Sequence, residues 1–205
     1  MPKRKIENLV GIFSESAPMR IKFKDIFDLK GFYESLREWL LEYQWADEEE
    51  KFDHWEAYYG ERIGQTGARE IWFLWRVQKK PEGSAKIVYY MDIDFHCLTI
   101  VDTEIIRDGK KIKMNKGEIE LKIWPYMEEK YKTELAEQPL LKHLVNLFSK
   151  RIYRREAIQR RKDLYQEVYI LQNYVKHWFK LKRHHPYEEV KSFMPSSAFP
   201  SHLKE

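Results

Sequence analysis

Lys86 to Tyr126 reads KIVYYMDIDFHCLTIVDTEIIRDGKKIKMNKGEIELKIWPY, and this stretch decides the fold class. Successive side chains on a strand point to opposite faces. From Ile87 onward, Ile87, Tyr89, Met91, Ile93, Phe95 and Cys97 share one apolar face. Val88, Tyr90, Asp92, Asp94, His96 and Leu98 share the other. One dry face and one mixed face is the signature of an antiparallel sheet packed on one side. Arg107-Asp108-Gly109-Lys110 is a two-residue hairpin signal, because a tight turn of this kind needs positive φ. The return strand starts at Lys111, bends or bulges at Asn115-Lys116-Gly117, and alternates through Ile119, Leu121 and Ile123. Pro125 is expected to end it or to hold it at an edge.

Upstream, Arg20–Phe27 alternates as a first strand, and Asp28 is placed to cap a helix. That helix carries Leu29, Phe32, Tyr33, Leu36, Leu40 and Tyr43 on one stripe, at three- and four-residue spacing. Residues 46–51 form an acidic connector, read as a solvated loop or helix end. A strand is expected from Phe52 to Tyr59, followed by a loop marked by Gly60, Gly64 and Gly67. Arg69–Val77 is apolar on both faces, which places it near the middle of the sheet.

Downstream, no Gly or Pro occurs between Leu140 and Arg183, so one bent helix or two helices are expected over about 139–183. One stripe is Leu140, Leu144, Leu147, Phe148 and Ile152, and a second is Leu164, Val168, Leu171, Val175 and Trp178 or Phe179. These elements compose an α+β domain over 20–183: an antiparallel sheet of five to six strands (about 52–126, plus the first strand), one N-terminal helix and long C-terminal helices packed on it. Residues 1–19 are read as a flexible basic N-terminus and 184–205, with Pro186, Pro195 and Pro200, as a disordered tail.

The chain has 205 residues, enough for one packed domain, and 34% of them are charged, above the usual quarter. Such Lys/Glu/Arg loading with a single cysteine leans toward a hot habitat. One cysteine excludes an internal disulfide and points to a reducing compartment. No apolar run reaches the ~20 residues of a membrane-spanning helix, and Glu7 and Asn8 interrupt the short apolar part after the basic start, so no signal peptide is read. A cytoplasmic protein is therefore expected. The chain has no P-loop, G-x-G-x-x-G, G-x-S-x-G or C-x-x-C pattern, which removes those nucleotide, hydrolase and zinc-ribbon readings at the level of motifs.

Two groups of side chains point to chemistry. Asp92, Asp94 and His96 lie at two-residue spacing on one strand face. Carboxylates and an imidazole ~6.6 Å apart can converge on a divalent metal or act as an acid/base set. A solvated or salt-bridged sheet face, with Lys and Arg on neighbouring strands, is the alternative. No other cofactor is implied. The second group is basic. Residues 150–182 hold ten Lys/Arg against Glu156, Asp163 and Glu167, a net +7 in a chain of net +4. Lys150, Arg151, Arg154, Arg155, Arg160, Arg161 and Lys162 make an electrostatic footprint for nucleic-acid phosphates, with Tyr153, Tyr165 and Tyr169 available to stack on bases. RNA is the favoured partner, and a solvated helix face is the alternative. The Trp178–Lys182 patch allows contact with an anionic membrane surface, and the 164–179 stripe allows self-association.

Tyr89–His96 together with Gly109–Ile123 resembles a segment of an uncharacterised family of small archaeal proteins, for which no activity is implied. The order strand, helix, several antiparallel strands, long C-terminal helix is similar to the helix-grip (START-like) arrangement. That resemblance implies a sheet wrapped around the last helix and an apolar ligand cavity, here expected to be lined from Trp72, Leu74 and the helix stripe. Three function classes stay open: a non-enzymatic nucleic-acid-binding protein, a carrier of a small apolar ligand, and an enzyme built on Asp92, Asp94 and His96.

Overall fold

In a computed structural model, residues 9–47, 55–83, 86–107, 110–132 and 153–181 are described. Seven strands form one antiparallel sheet: β1 (Leu9–Gly11), β2 (Met19–Phe27), β3 (Ala46–Asp47), β4 (Glu56–Ile63), β5 (Arg69–Lys79), β6 (Ile87–Arg107) and β7 (Lys110–Glu129). The order is β1–β7–β6–β5–β3, with β2 also on β7 and β4 also on β5. Helix α1 (Leu29–Glu42) follows β2, and helix α2 (Arg154–Trp178) follows β7. The α+β class and the large antiparallel sheet with a C-terminal helix are as the alternation implies. The sheet carries seven strands where five to six were expected. The expected first stripe over 140–152 and the tail from 184 lie outside the described residues.

Each helix forms for a local reason and is then held by one face. Asp28 caps α1, its carboxylate accepting from the Gly31 N–H at 2.9 Å. Phe32, Leu36, Trp39 and Leu40 are the buried stripe of α1; Leu164, Val168, Leu171 and Val175 are that of α2. Both stripes join the sheet's inner face in one core with Ile21, Phe73, Trp75, Ile93, Phe95, Ile119 and Leu121. Cys97 is part of that core, and burial pushes its thiol up to about 12, so it stays protonated. Polar ties fix the helices. Glu167 on α2 accepts from Trp45 Nε1 at 2.8 Å and from Lys79 Nζ at 2.6 Å. The Ser35 and Tyr174 hydroxyls meet at 2.5 Å.

Several strand boundaries differ from the sequence reading. Leu9–Gly11 pairs with Tyr126–Glu128, so part of the expected flexible N-terminus is a strand. β4 runs through Gly60 to Ile63, and the turn comes at Gly64–Ala68, where Gly67 takes a φ of 78°. β7 continues past Pro125 to Glu129. The carbonyl of Pro125 accepts from Ile12 N at 3.0 Å, and β2 has stopped pairing at Ile123. The missing N–H therefore falls in the gap between β2 and β1, where no partner strand needs it.

The bulge sits one strand over from its expected place. β6 carries two residues, Thr99 and Ile100, opposite the single Gly117 of β7. Thr99 takes a φ of 52°. A Cβ on residue 117 would lie 2.6 Å from Ile100 Cδ1 and 2.9 Å from the Leu98 carbonyl, so only glycine lets β6 cross this closely. Beyond the bulge the two strands pair out to Arg107 and Lys110, and Asp108 and Gly109 lie outside the described residues.

Candidate functional site

The expected Asp92/Asp94/His96 set is split between two partners. Asp92 and Asp94 turn to Arg76 on β5: Nη1 of Arg76 donates to Asp94 at 2.8 Å, and its Nε lies 3.6 Å from Asp92. All three are nearly buried, on the sheet face away from the helices. Burial raises the Asp94 carboxyl above the usual carboxylate range; the Arg76 guanidinium pulls the other way without cancelling it. His96 turns to Glu70, with Nε2 at 2.9 Å from the carboxylate, and its ring stacks on Trp72 at 5.2 Å. Among the described residues no group of three His, Cys, Asp or Glu side chains is placed to hold a metal. The trio is thus part of a salt-bridged sheet face, which was the alternative reading.

The basic cluster is also partly committed. Arg160 donates to the Glu82 carbonyl at 2.7 Å, and Arg161 to the Gly11 carbonyl at 3.0 Å. These two side chains pin the β5–β6 turn and the end of β1 onto α2. Arg154, Arg155 and Lys162 remain exposed on the first turns of α2. Tyr165 beside them contacts Phe13 and bonds Tyr169 at 3.0 Å. Lys150 and Arg151 lie outside the described residues. Of the Trp178–Lys182 patch, Phe179 is core and Trp178 half-exposed. No helix among the described residues is long and apolar enough to cross a membrane.

A cavity of about 330 Å³ opens between the start of α1 and the β4–β5 end of the sheet's inner face. Ile71 and Phe73 of β5 form its floor, and Leu29, Lys30 and Tyr33 of α1 form one wall. Phe73 is held flat by stacking on Phe95, centroids 4.1 Å apart and planes at 14°. Glu56 and Tyr59 of β4, Arg69 of β5 and Asn115 of β7 supply the remaining rim. Trp72 and Leu74, the residues expected to line a cavity, point to the opposite face of β5, where they sit across from His96 and Asp94. The sheet face was assigned the wrong way round because β5 is apolar on both.

The polar groups of this cavity are arranged by backbone irregularities. A shift of register between Glu56 and Tyr58 turns Glu56 onto the inner face opposite Trp75. There it accepts from the Tyr33 hydroxyl at 2.5 Å. Burial first, and then this bond to a carboxylate, holds the Tyr33 phenol well above its ordinary range, so it stays a donor. Asn115 is used at both ends: its Oδ1 accepts from Leu29 N at 3.3 Å, and its Nδ2 donates to Asp102 at 2.9 Å. Arg69 pairs with the same Asp102 carboxylate. Hydrogen-bonding groups thus ring an apolar floor, which is the composition of small-molecule sites.

A smaller cavity of about 200 Å³ lies where Val10 and Met127 face the first turns of α2. Two of its cations are engaged, Lys132 with Glu129 and Arg161 with the Gly11 carbonyl, and Arg154, which also lines it, is exposed.

Compared with models of known protein families, with curated proteins and with solved structures, the chain has no match.

Proposed function

We propose that this protein is a non-enzymatic carrier of a small, largely apolar molecule, bound between α1 and the β4–β5 end of the sheet. The observation that carries the reading is the cavity of about 330 Å³, with an Ile71/Phe73 floor and a rim of Glu56, Tyr33 and Arg69. That volume falls at the lower end of the ~300–1,000 Å³ range of ligand pockets. The ligand body lies on Phe73, and a single polar group meets the rim. Glu56 offers an acceptor and Arg69 donors, so a hydroxyl or an acid suits this rim better than a plain hydrocarbon. The element order, similar to the helix-grip arrangement, supports the same reading by analogy.

The test fills the floor. Titration with an environment-sensitive apolar fluorophore gives saturable one-site binding in the unaltered chain. Ile71→Phe adds bulk toward the cavity, and it weakens binding by tenfold or more while the fold is retained. Equal binding by the variant rules the site out.

A second proposal is that Arg154, Arg155 and Lys162 contact nucleic-acid phosphates. It is favoured by their exposure next to Tyr165. RNA binding that falls steeply with salt, with a shallower slope after their replacement by alanine, would carry it. Salt-independent binding would not.

A further inference from the structure

Three charged side chains line the cavity between α1 and β5: Lys30, Glu56 and Arg69. Each cation has a carboxylate partner that is not part of the lining. Arg69 pairs with Asp102, and Lys30 Nζ lies 3.7 Å from Glu34. Glu56 has no such match. It is in no ion pair among the described residues, and the hydrogen bond it accepts comes from the neutral Tyr33 hydroxyl. A second carboxylate stands along the same edge. The β4–β5 register sets Tyr59 opposite Phe73 and Glu61 opposite Ile71, so both β4 residues share the face of the cavity floor. Glu61 accepts from the Tyr59 hydroxyl at 2.9 Å, and it too is in no ion pair among the described residues. Rings enclose the space from three elements: Tyr33 of α1, Tyr59 of β4 and Phe73 of β5. The Tyr33 and Phe73 centroids are 5.8 Å apart.

We propose that the ligand of this cavity is a protonated amine with an apolar body, its ammonium group held by Glu56 among the rings of Tyr33, Tyr59 and Phe73. The inference rests on the carrier function and narrows its ligand. A hydroxyl or an acid gains at this rim over a plain hydrocarbon, and charge then ranks the polar groups. An ammonium donates to the Glu56 carboxylate and meets the negative faces of the rings, so two attractions act on it at once. A hydroxyl keeps the hydrogen bond alone. An acid reaches Arg69 only in competition with Asp102, and Glu56 repels it. An alkylamine is charged at neutral pH, as a lysine side chain with its pKa of ~10.4 is. The same chemistry operates one residue away, where the Arg37 guanidinium sits 5.4 Å from the centre of the Trp55 ring.

Three ligands of one chain length separate the head groups: octylamine, octanol and octanoate. Each is titrated calorimetrically into the full chain at neutral pH, and then against the bound apolar fluorophore. Octylamine gives saturable one-site binding, about tenfold or more tighter than octanol, and octanoate binds most weakly. Glu56→Gln keeps an acceptor for the Tyr33 hydroxyl and removes the charge. It weakens octylamine by about tenfold or more and octanol much less, so the preference collapses. Absence of saturable octylamine binding overturns the inference. So does octanol or octanoate binding as tight as that of octylamine, or a preference that survives Glu56→Gln. If Glu56→Gln shifts the melting curve, the head-group series on the unaltered chain decides alone. Saturable fluorophore binding that Ile71→Phe weakens, with no preference for the amine, removes the amine and leaves the carrier function standing. Loss of fluorophore and amine binding together removes both.

Discussion

Arg76→Met is expected to lower stability by about 3–5 kcal/mol at neutral pH, because it removes one partner from a buried ion pair. The Arg76 side chain is 12% exposed and that of Asp94 6%, so little water replaces the lost guanidinium. One Asp94 oxygen already has no hydrogen-bond partner among the described residues. The pH dependence follows from the direction of the Asp94 shift. Its carboxyl is raised in the folded chain, mainly by burial. The folded state therefore holds its proton more tightly than the unfolded state, and acidification through the folded pKa adds stability. Above that pKa the cost of the buried charge is full. Without Arg76 the carboxyl rises further, so the loss in the variant shrinks on mild acidification and begins to shrink at a higher pH than in the parent. Urea unfolding at neutral and mildly acidic pH measures both. Asp94→Asn in the same chain restores most of the loss. A loss under about 1 kcal/mol, or one that does not change with pH, would show that the pair is not buried as described.

Phe179→Ala is expected to cost about 3–5 kcal/mol, in the range of buried aromatic truncations. Phe179 closes the C-terminal end of α2 against three phenylalanines. Its ring lies 4.6 Å from Phe23, 4.7 Å from Phe32 and 5.8 Å from Phe27. It thereby joins α2 to both β2 and α1. Trp178, one residue earlier, is 37% exposed and touches only the edge of this cluster, 6.1 Å from Phe32. Trp178→Ala should therefore cost much less, about 1 kcal/mol. Thermal unfolding of the two variants side by side distinguishes them. Equal losses would mean that the end of α2 is not anchored through Phe179.

Local signals carried the sheet. One-sided burial made β6 and β7 alternate, the Asp-Gly pair in the sequence marked the boundary between them, and Asp28 marked the start of α1. Three things were not legible, each for a physical reason. β5 is apolar on both sides, so alternation finds its two faces but not which one meets the helices; Trp72 and Leu74 were assigned to the wrong one. Bulges shift faces without a clear residue signature. The irregularity before Tyr58 turns Glu56 inward, where simple alternation would place it outward beside Tyr58. Backbone carbonyls leave no trace in sequence, so nothing announced that Arg160 and Arg161 are spent on Glu82 and Gly11. The cavity needs the first two of these together. Its walls come from residues 29–33, 56–59, 69–73 and 115, which only the strand register brings side by side. A signal for it existed in the doubly apolar Arg69–Val77 strand, since such a strand has to be covered on each face.

The most direct measurement is a methyl-resolved NMR spectrum recorded while the apolar fluorophore is titrated in. The account predicts that the Ile71 and Leu29 methyl signals move and saturate together. Those of Leu164 and Val168 inside the α2 contact, and of Ile158 on its exposed side, should stay in place. Shifts confined to Ile158, or to Ile106 and Ile112 beyond the bulge of β6, with Ile71 and Leu29 unmoved, would contradict a binding site between α1 and the sheet.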